Sequence, residues 1–280
     1  MEDPESYHKA EFLKGDIQSY LEEYKAKIRL RADGKDSLLD MGCAGGNITI
    51  DVVLPILLPK TFSRLVGVDV SRKMIDYANE RFRLPNVSFE VLDIGSDITD
   101  FSMAHQRFDH ITSTLCLHLV PDQQRTLKNI FNLLEPNGDC LLYILVDCVV
   151  FDTYGRIHKK WSKYMDDADD FISPYYRRVN PEYLLKKYIK NAGFTRYEIQ
   201  MRQATVNFDN IKQFKEGYRS VIPFLHRMPV TEQEDFMEEF VDRALEVMVE
   251  KNVLKNEQLH NGGDLKMQVP YTIMSAFVEK

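Results

Sequence analysis

With 280 residues, 44% of them apolar, the chain is long enough for one large domain or one domain with an elaborated cap, and a single domain spanning residues 1–280 is expected. A formal charge of −7 and a pI near 5.6 leave no basic face for a phosphate backbone, which argues against nucleic acid as substrate or partner. The polar start, residues 1–10, lacks the apolar core of a signal peptide, and no stretch approaches the ~18 apolar residues of a membrane span, so a cytoplasmic protein without membrane contact is expected.

Residues 6–30 carry Phe12, Leu13, Ile17, Tyr20, Leu21, Tyr24 and Ile28 at spacings of three and four, one stripe of an amphipathic helix. Such a helix can pack on a sheet or cover a cofactor as a lid, and the stripe suits both. Gly34 and Asp36 mark the turn into a first strand through Leu38-Leu39-Asp40. The small residues Gly42-Cys43-Ala44-Gly45-Gly46 then let the backbone turn tightly into an apolar helix from Ile48, expected to fray at Pro55. Residues 64–69 read as a second buried strand, also ending in a carboxylate, Asp69. Ser71 is a good N-cap for a helix over 72–82, with Met74, Ile75 and Ala78 inward. Residues 87–92 alternate as a third strand ending at Asp93, and 95–106 read as a polar loop. A fourth strand, 108–115, runs towards Cys116-Leu117-His118-Leu119. Pro121 suits the first turn of a helix reaching Leu134, which Pro136-Asn137-Gly138 should stop before a fifth strand over 140–146.

After Val150, Phe151, Tyr154, Trp161, Tyr164, Phe171, Tyr175 and Tyr176 are interleaved with Asp166, Asp167, Asp169 and Asp170. So many aromatics require an apolar partner, a cap or a ligand. Residues 181–191 form a helix closed by Gly193, and 194–203 a strand. A second amphipathic helix covers 209–224; Thr231 with Glu234 makes a capping box for a third, 231–250. The chain closes with a strand over 266–279, whose Pro270 suits an edge or a bulge. Strands alternating with helices predict an α/β fold, a doubly wound, mostly parallel seven-stranded sheet with the last strand antiparallel and a helical cap. Within it, 1–35 would be the N-terminal helix or lid, 36–147 the cofactor-binding half, 148–265 the substrate cap around the strand 194–203, and 266–280 the final strand. Cys43, Cys116, Cys140 and Cys148 have no zinc-like spacing and read as buried thiols, so no metal is expected.

A glycine turn after a strand suits several nucleotides. A dinucleotide site keeps three glycines and places its ribose acid about 20 residues further on; here Ala44 replaces the middle glycine and Asp69 comes later. The pattern resembles the class I S-adenosylmethionine-dependent methyltransferases, with a Rossmann-like fold and S-adenosyl-L-methionine as cofactor. The resemblance implies that Asp40, Gly42, Cys43 and Gly46 hold the methionine end and that Asp69 accepts both ribose hydroxyls. It places Met74 against the adenine and Asp93 or Ile94 near its amino group, with Val70 and Ser113 in the same cofactor set. A cis-diol is best held by one bidentate acceptor. The bland alternatives are a helix cap for Asp69, a turn acid for Asp93 and a core side chain for Met74.

A closer resemblance covers nearly the whole chain. Leu65-Val66-Gly67-Val68-Asp69-Val70-Ser71, Phe108-Asp109-His110, Cys116-Leu117-His118, Asp122-Gln123, Asn129-Ile130-Phe131-Asn132-Leu133-Leu134 and Phe171-Ile172-Ser173-Pro174-Tyr175 look like the insect juvenile hormone acid methyltransferases. That family esterifies the carboxylate of a sesquiterpenoid acid, which implies a small apolar carboxylic acid as substrate and is compatible with a homodimer. His118 would be the catalytic hydrogen-bond donor that aims the carboxylate, with Lys14, Leu119 and Trp161 beside the substrate. The family has tryptophan after this histidine where the chain has Leu119, and glutamine in the first helix near Leu13 and Lys14. The rival readings are a different small acceptor for the same cofactor and a non-catalytic binding protein.

Overall fold

The computed structural model describes residues 4–9, 13–255 and 265–280. Seven strands form, buried in the centre of the sheet and half-exposed in β3 and β6: β1 (Ser37–Met41), β2 (Arg64–Asp69), β3 (Val87–Val91), β4 (Phe108–Thr114), β5 (Leu134–Cys148), β6 (Arg196–Phe208) and β7 (Met267–Glu279). They form one sheet in the order β3-β2-β1-β4-β5-β7-β6. The first five pair in parallel and β7 is antiparallel, as the sequence predicts; its place is between β5 and β6. The order reverses between β1 and β4, and at that switch point the carboxyl ends of the strands diverge into a crevice.

The helices are α1 (Pro4–Lys9), α2 (Lys14–Tyr24), α3 (Leu54–Leu57), α4 (Arg72–Arg81), α5 (Thr99–His105), α6 (Gln123–Leu133), α7 (Val149–Ile157), α8 (Pro181–Ala192), α9 (Ile211–Arg219) and α10 (Val230–Glu250). One apolar layer joins α2, α3, α7, α9 and α10 to the sheet, and another joins α6 and α8 to it. Among the described residues no helix is long and apolar enough to cross a membrane.

Several elements differ from expectation. Residues 6–30 do not form one helix: α1 and α2 are separate, α2 ends at Tyr24 in a tight turn (Lys25–Lys27), and Phe12 lies outside the described residues. The stripe itself holds. Ile17, Tyr20, Leu21 and Tyr24 are buried, and the Tyr20 hydroxyl reaches Leu142 O at 2.9 Å and Ala276 O at 3.2 Å, so α2 is packed on the sheet. Pro55 does not fray its helix, because a wide π turn (Thr49–Val53) precedes it and puts it in the first turn of α3, where its missing N–H is no loss. Residues 95–106 contain α5. Pro121 stays outside α6, which Asp122 caps by accepting from Arg125 N at 2.9 Å. Pro136-Asn137-Gly138 does not separate helix from strand: Leu134 already pairs with Phe108, and the register shifts before Asp139 meets His110.

The later elements show the same pattern of correct kind and shifted bounds. β6 runs on to Phe208, and α9 is shorter than the expected 209–224, starting from an Asn210 cap. Thr231 caps nothing. α10 starts after Pro229 without a side-chain cap, and Glu234 instead pairs with Lys215 and Arg219 of α9. β7 is an interior strand, yet its pairing with β5 ends at Tyr271, so Pro270 faces only Thr205 of β6 and breaks no second ladder.

Candidate active site

The glycine turn after β1 is stitched to β2. Gly42 N and Cys43 N both donate to Val68 O, at 2.7 and 3.0 Å. Gly42 has φ +75°, and a Cβ there would lie 2.3 Å from that of Cys116, so only glycine closes this turn against the loop after β4. The end of β2 is locked in the same way: Asp69 Oδ2 accepts from Ala44 N at 3.0 Å and Oδ1 from Ser71 N at 2.9 Å. Ser71 in turn caps α4, accepting from Met74 N.

These ends open on a cavity of about 450 Å³. Its polar side holds Gly42, Asp69, Ser71 and Asp93 with Val70 and Ile94; Val70 is 70% exposed. Its other side is apolar, with Leu145, Val150, Phe151, Phe171, Val206 and Pro223, and Tyr7 and Leu13 of the N-terminal segment also line it. Cys116 and Cys148 also face it, but burial pushes each thiol up to about 12, so neither is a thiolate at neutral pH.

His118 stands where the two sides meet, on a single tight turn (Leu117–Leu119) after β4. It is 7% exposed, and its Nδ1 is buried with no hydrogen-bond partner. Burial pushes its pKa down to about 4, so the ring is neutral at pH 7. The turn is braced from below. Gln123 Nε2 donates to Leu117 O and Val120 O, both at 2.6 Å, and Tyr175 Oη donates to Gln123 Oε1 at 2.7 Å.

A methyltransferase domain model matches residues 32–181. The chain is 33% identical over 277 residues to the juvenile hormone acid O-methyltransferase of Drosophila melanogaster, covering 98% of this chain and 90% of that one. To the enzyme of the same description from Bombyx mori it is 35% identical over 283 residues, covering 100% and 98%. The chain belongs to the juvenile hormone acid O-methyltransferase family. The solved structure of YcgJ from Bacillus subtilis, 13% identical, shares the fold with a TM-score of 0.57 and covers 94% of this chain and 98% of that one.

Of the residues the sequence nominates, Gly42, Asp69, Val70, Asp93, Ile94, His118 and Leu119 line this one cavity. The others lie elsewhere. Cys43 packs with Ile75, Ala78 and Phe89, and Gly46 (φ +82°) keeps its backbone against the Phe89 ring. Met74 is 1% exposed on the inner face of α4, and Ser113 Oγ donates to Met41 O at 3.2 Å. Lys14 pairs with Asp51 at 2.9 Å, outside the cavity wall. Trp161 donates Nε1–H to Glu239 at 2.9 Å and packs edge-on to Phe236, so it belongs to the cap core. Missing from the sequence reading were Gln123 and Tyr175 as braces, and Val206, Tyr218 and Tyr271 as cavity wall. The last two sit on elements whose inward faces the periodicity marks without saying what they face.

Asp40 lies behind the turn. It accepts from Thr49 Oγ1 at 2.6 Å and from Thr112 Oγ1 at 2.8 Å, and burial pushes its pKa up to about 6. A carboxylate raised from 3.8 to about 6 on folding leaves stability intact at low pH and subtracts from it as pH rises through that window, on the order of 3 kcal/mol when fully ionised. Asp40→Asn is therefore expected to raise the thermal midpoint at pH 7.5, with the gain shrinking towards pH 5. Melts that show an equal loss at both pH values would mean that the ionised form is the stabilising one.

Proposed function

We propose that this chain transfers a methyl group from S-adenosyl-L-methionine to the carboxylate of a long apolar acid, with juvenile hormone acid and farnesoic acid as the first candidates. The observation that carries the reading is His118: a neutral imidazole lining the cavity between its polar strand-end side and its apolar side, with Nδ1 sealed inside the protein and Nε2 left as the ring nitrogen that can meet an acceptor. The names of the two insect relatives support the same acceptor class.

The residues present fit the cofactor. Each Asp69 oxygen already accepts one backbone N–H and keeps a lone pair, so the carboxylate can take the two hydroxyls of a ribose without giving up its place. Val70 offers an exposed apolar face beside it for the adenine, with Asp93 and Ile94 at the next strand end. When bound, S-adenosyl-L-methionine supplies an electrophilic methyl group on sulfur.

The chain's own contribution is placement. An acceptor carboxylic acid has a pKa of about 4.3 and arrives ionised, so no general base is required. His118, neutral, donates one N–H to a carboxylate oxygen and fixes which lone pair faces the methyl group. The apolar wall removes water from the same oxygen, leaving it more nucleophilic than in solution. Incubating the protein with methyl-labelled cofactor and either acid is expected to yield the methyl ester, identified by mass. Absence of ester from a panel of terpenoid and fatty acids would sink the reading.

A further inference from the structure

Tyr154 on α7, Tyr218 on α9 and Tyr271 on β7 stand in the acceptor side of the cavity. Two of them are engaged within the protein. Tyr271 donates its hydroxyl to Asp16 of α2, and Tyr218 has interactions of its own besides stacking on Phe214. Tyr154 differs. It is 3% exposed, its ring is held edge-on to Phe224 with centroids 5.1 Å apart, and its hydroxyl makes no hydrogen bond among the described residues. The same wall includes Val150, Phe151, Phe171 and Val206, whose side chains offer no acceptor, and the polar groups that act on the ring, the Cys148 thiol and the Tyr218 hydroxyl, make no hydrogen bond to it among the described residues. The hydroxyl is not among the sealed polar atoms of the described residues and lines the cavity, so its hydrogen-bonding capacity is open to a ligand there.

We propose that Tyr154 is a specificity-determining residue whose hydroxyl donates to an oxygen that the acceptor acid carries far from its carboxylate, a ketone, ether or hydroxyl oxygen on an otherwise apolar chain. The inference rests on the reading above that the carboxylate sits at His118. His118 follows β4 and Tyr154 follows β5, and both face one cavity, so a single elongated ligand can touch both. The donor is fixed rather than adaptable: Phe224 and Phe240 flank the ring, and Thr153 ties α7 by donating to Val149 O at 2.8 Å. A fixed donor rewards an oxygen at one chain position and not at others, which is how a site otherwise lined by carbon discriminates between acids of equal length.

The test uses dodecanoic acid and a set of oxododecanoic acids with the ketone moved stepwise along the chain. Binding to the full-length protein loaded with S-adenosylhomocysteine is followed by calorimetry, so no turnover is needed. The expected result is one ketone position that binds about tenfold more tightly than dodecanoic acid in the wild type. In Tyr154→Phe, which keeps the ring, that ratio is expected to fall to about one. Ratios within about twofold at every position, or a preference that survives Tyr154→Phe, overturn the inference while leaving the carboxylate reading intact. Failure of every acid to bind the wild type overturns both.

Discussion

Asp69→Ala is expected to raise the Kd for S-adenosyl-L-methionine at least about 100-fold, measured by calorimetry on the purified variant. A hydrogen bond to a charged group contributes about 1.5–3 kcal/mol, and a ribose diol makes two of them to one carboxylate, so the loss spans roughly two to four powers of ten. The substitution also releases Ala44 N and Ser71 N, the two donors that lock the turn after β1 and the start of α4. Asp69→Asn separates these effects: it retains an acceptor for one backbone donor but loses the charge, so its folding should suffer less than its affinity. Unchanged affinity in both variants would mean that the end of β2 is not where the ribose lies.

The elements that were legible in sequence are those whose signals are local. Arg64 to Asp69 is a strand because it is apolar and ends at an acid, and Ser71 caps α4 because its side chain reaches Met74 N. α5 was missed because seven residues have too little intrinsic helicity to register; it is held by Phe101 stacked on Phe108 of β4 and by His105 paired with Glu90 of β3. α7 was missed because it opens on Val149 and Val150 directly at the end of β5, where the residue types suggest more strand. Its partner is far away in sequence: Tyr154 packs on Phe240 of α10. The capping box at Thr231 illustrates the converse. A valid local motif was overruled because Glu234 has two cations of α9 within reach.

The site was legible where backbone makes it and obscure where side-chain direction decides. Thr112 and Ser113 are neighbours on β4 and point to opposite faces, one to Asp40 and one to Met41 O, and no count of residue types separates them. The motifs that carry the family resemblance also divide by structure. In Phe108-Asp109-His110, the histidine lies 2.8 Å from Asp139 and 3.1 Å from Asp36 and joins β4, β5 and the approach to β1, without lining the cavity. In Asp122-Gln123 and the stretch ending at Tyr175, by contrast, the last residues meet beneath His118. One set of motifs builds the frame and the other braces the turn that carries His118.

His118→Ala is expected to lower kcat by about 100-fold while the cofactor Kd moves by less than about threefold, because the donor is needed to place the acceptor and not to hold the nucleotide. His118→Gln, which keeps an N–H at similar reach, should recover part of the loss. The wild-type pH profile carries independent information. The acceptor carboxylate has a pKa of about 4.3 and His118 has been pushed down to about 4, so both have lost their protons by pH 6 and kcat/KM should stay flat from there to about pH 9. It should fall only below about pH 5, as the acceptor regains its proton. Stability shifts in the same direction: the unfolded histidine binds a proton near 6.5 and the folded one only near 4, so the folded state loses ground as pH drops through that interval and is unaffected above it. An activity that instead climbs steadily between pH 7 and 9 would point to an acceptor that must first lose a proton, a phenol or an amine. The role of His118 would then change from donor to base, and its low pKa would make it a poor one.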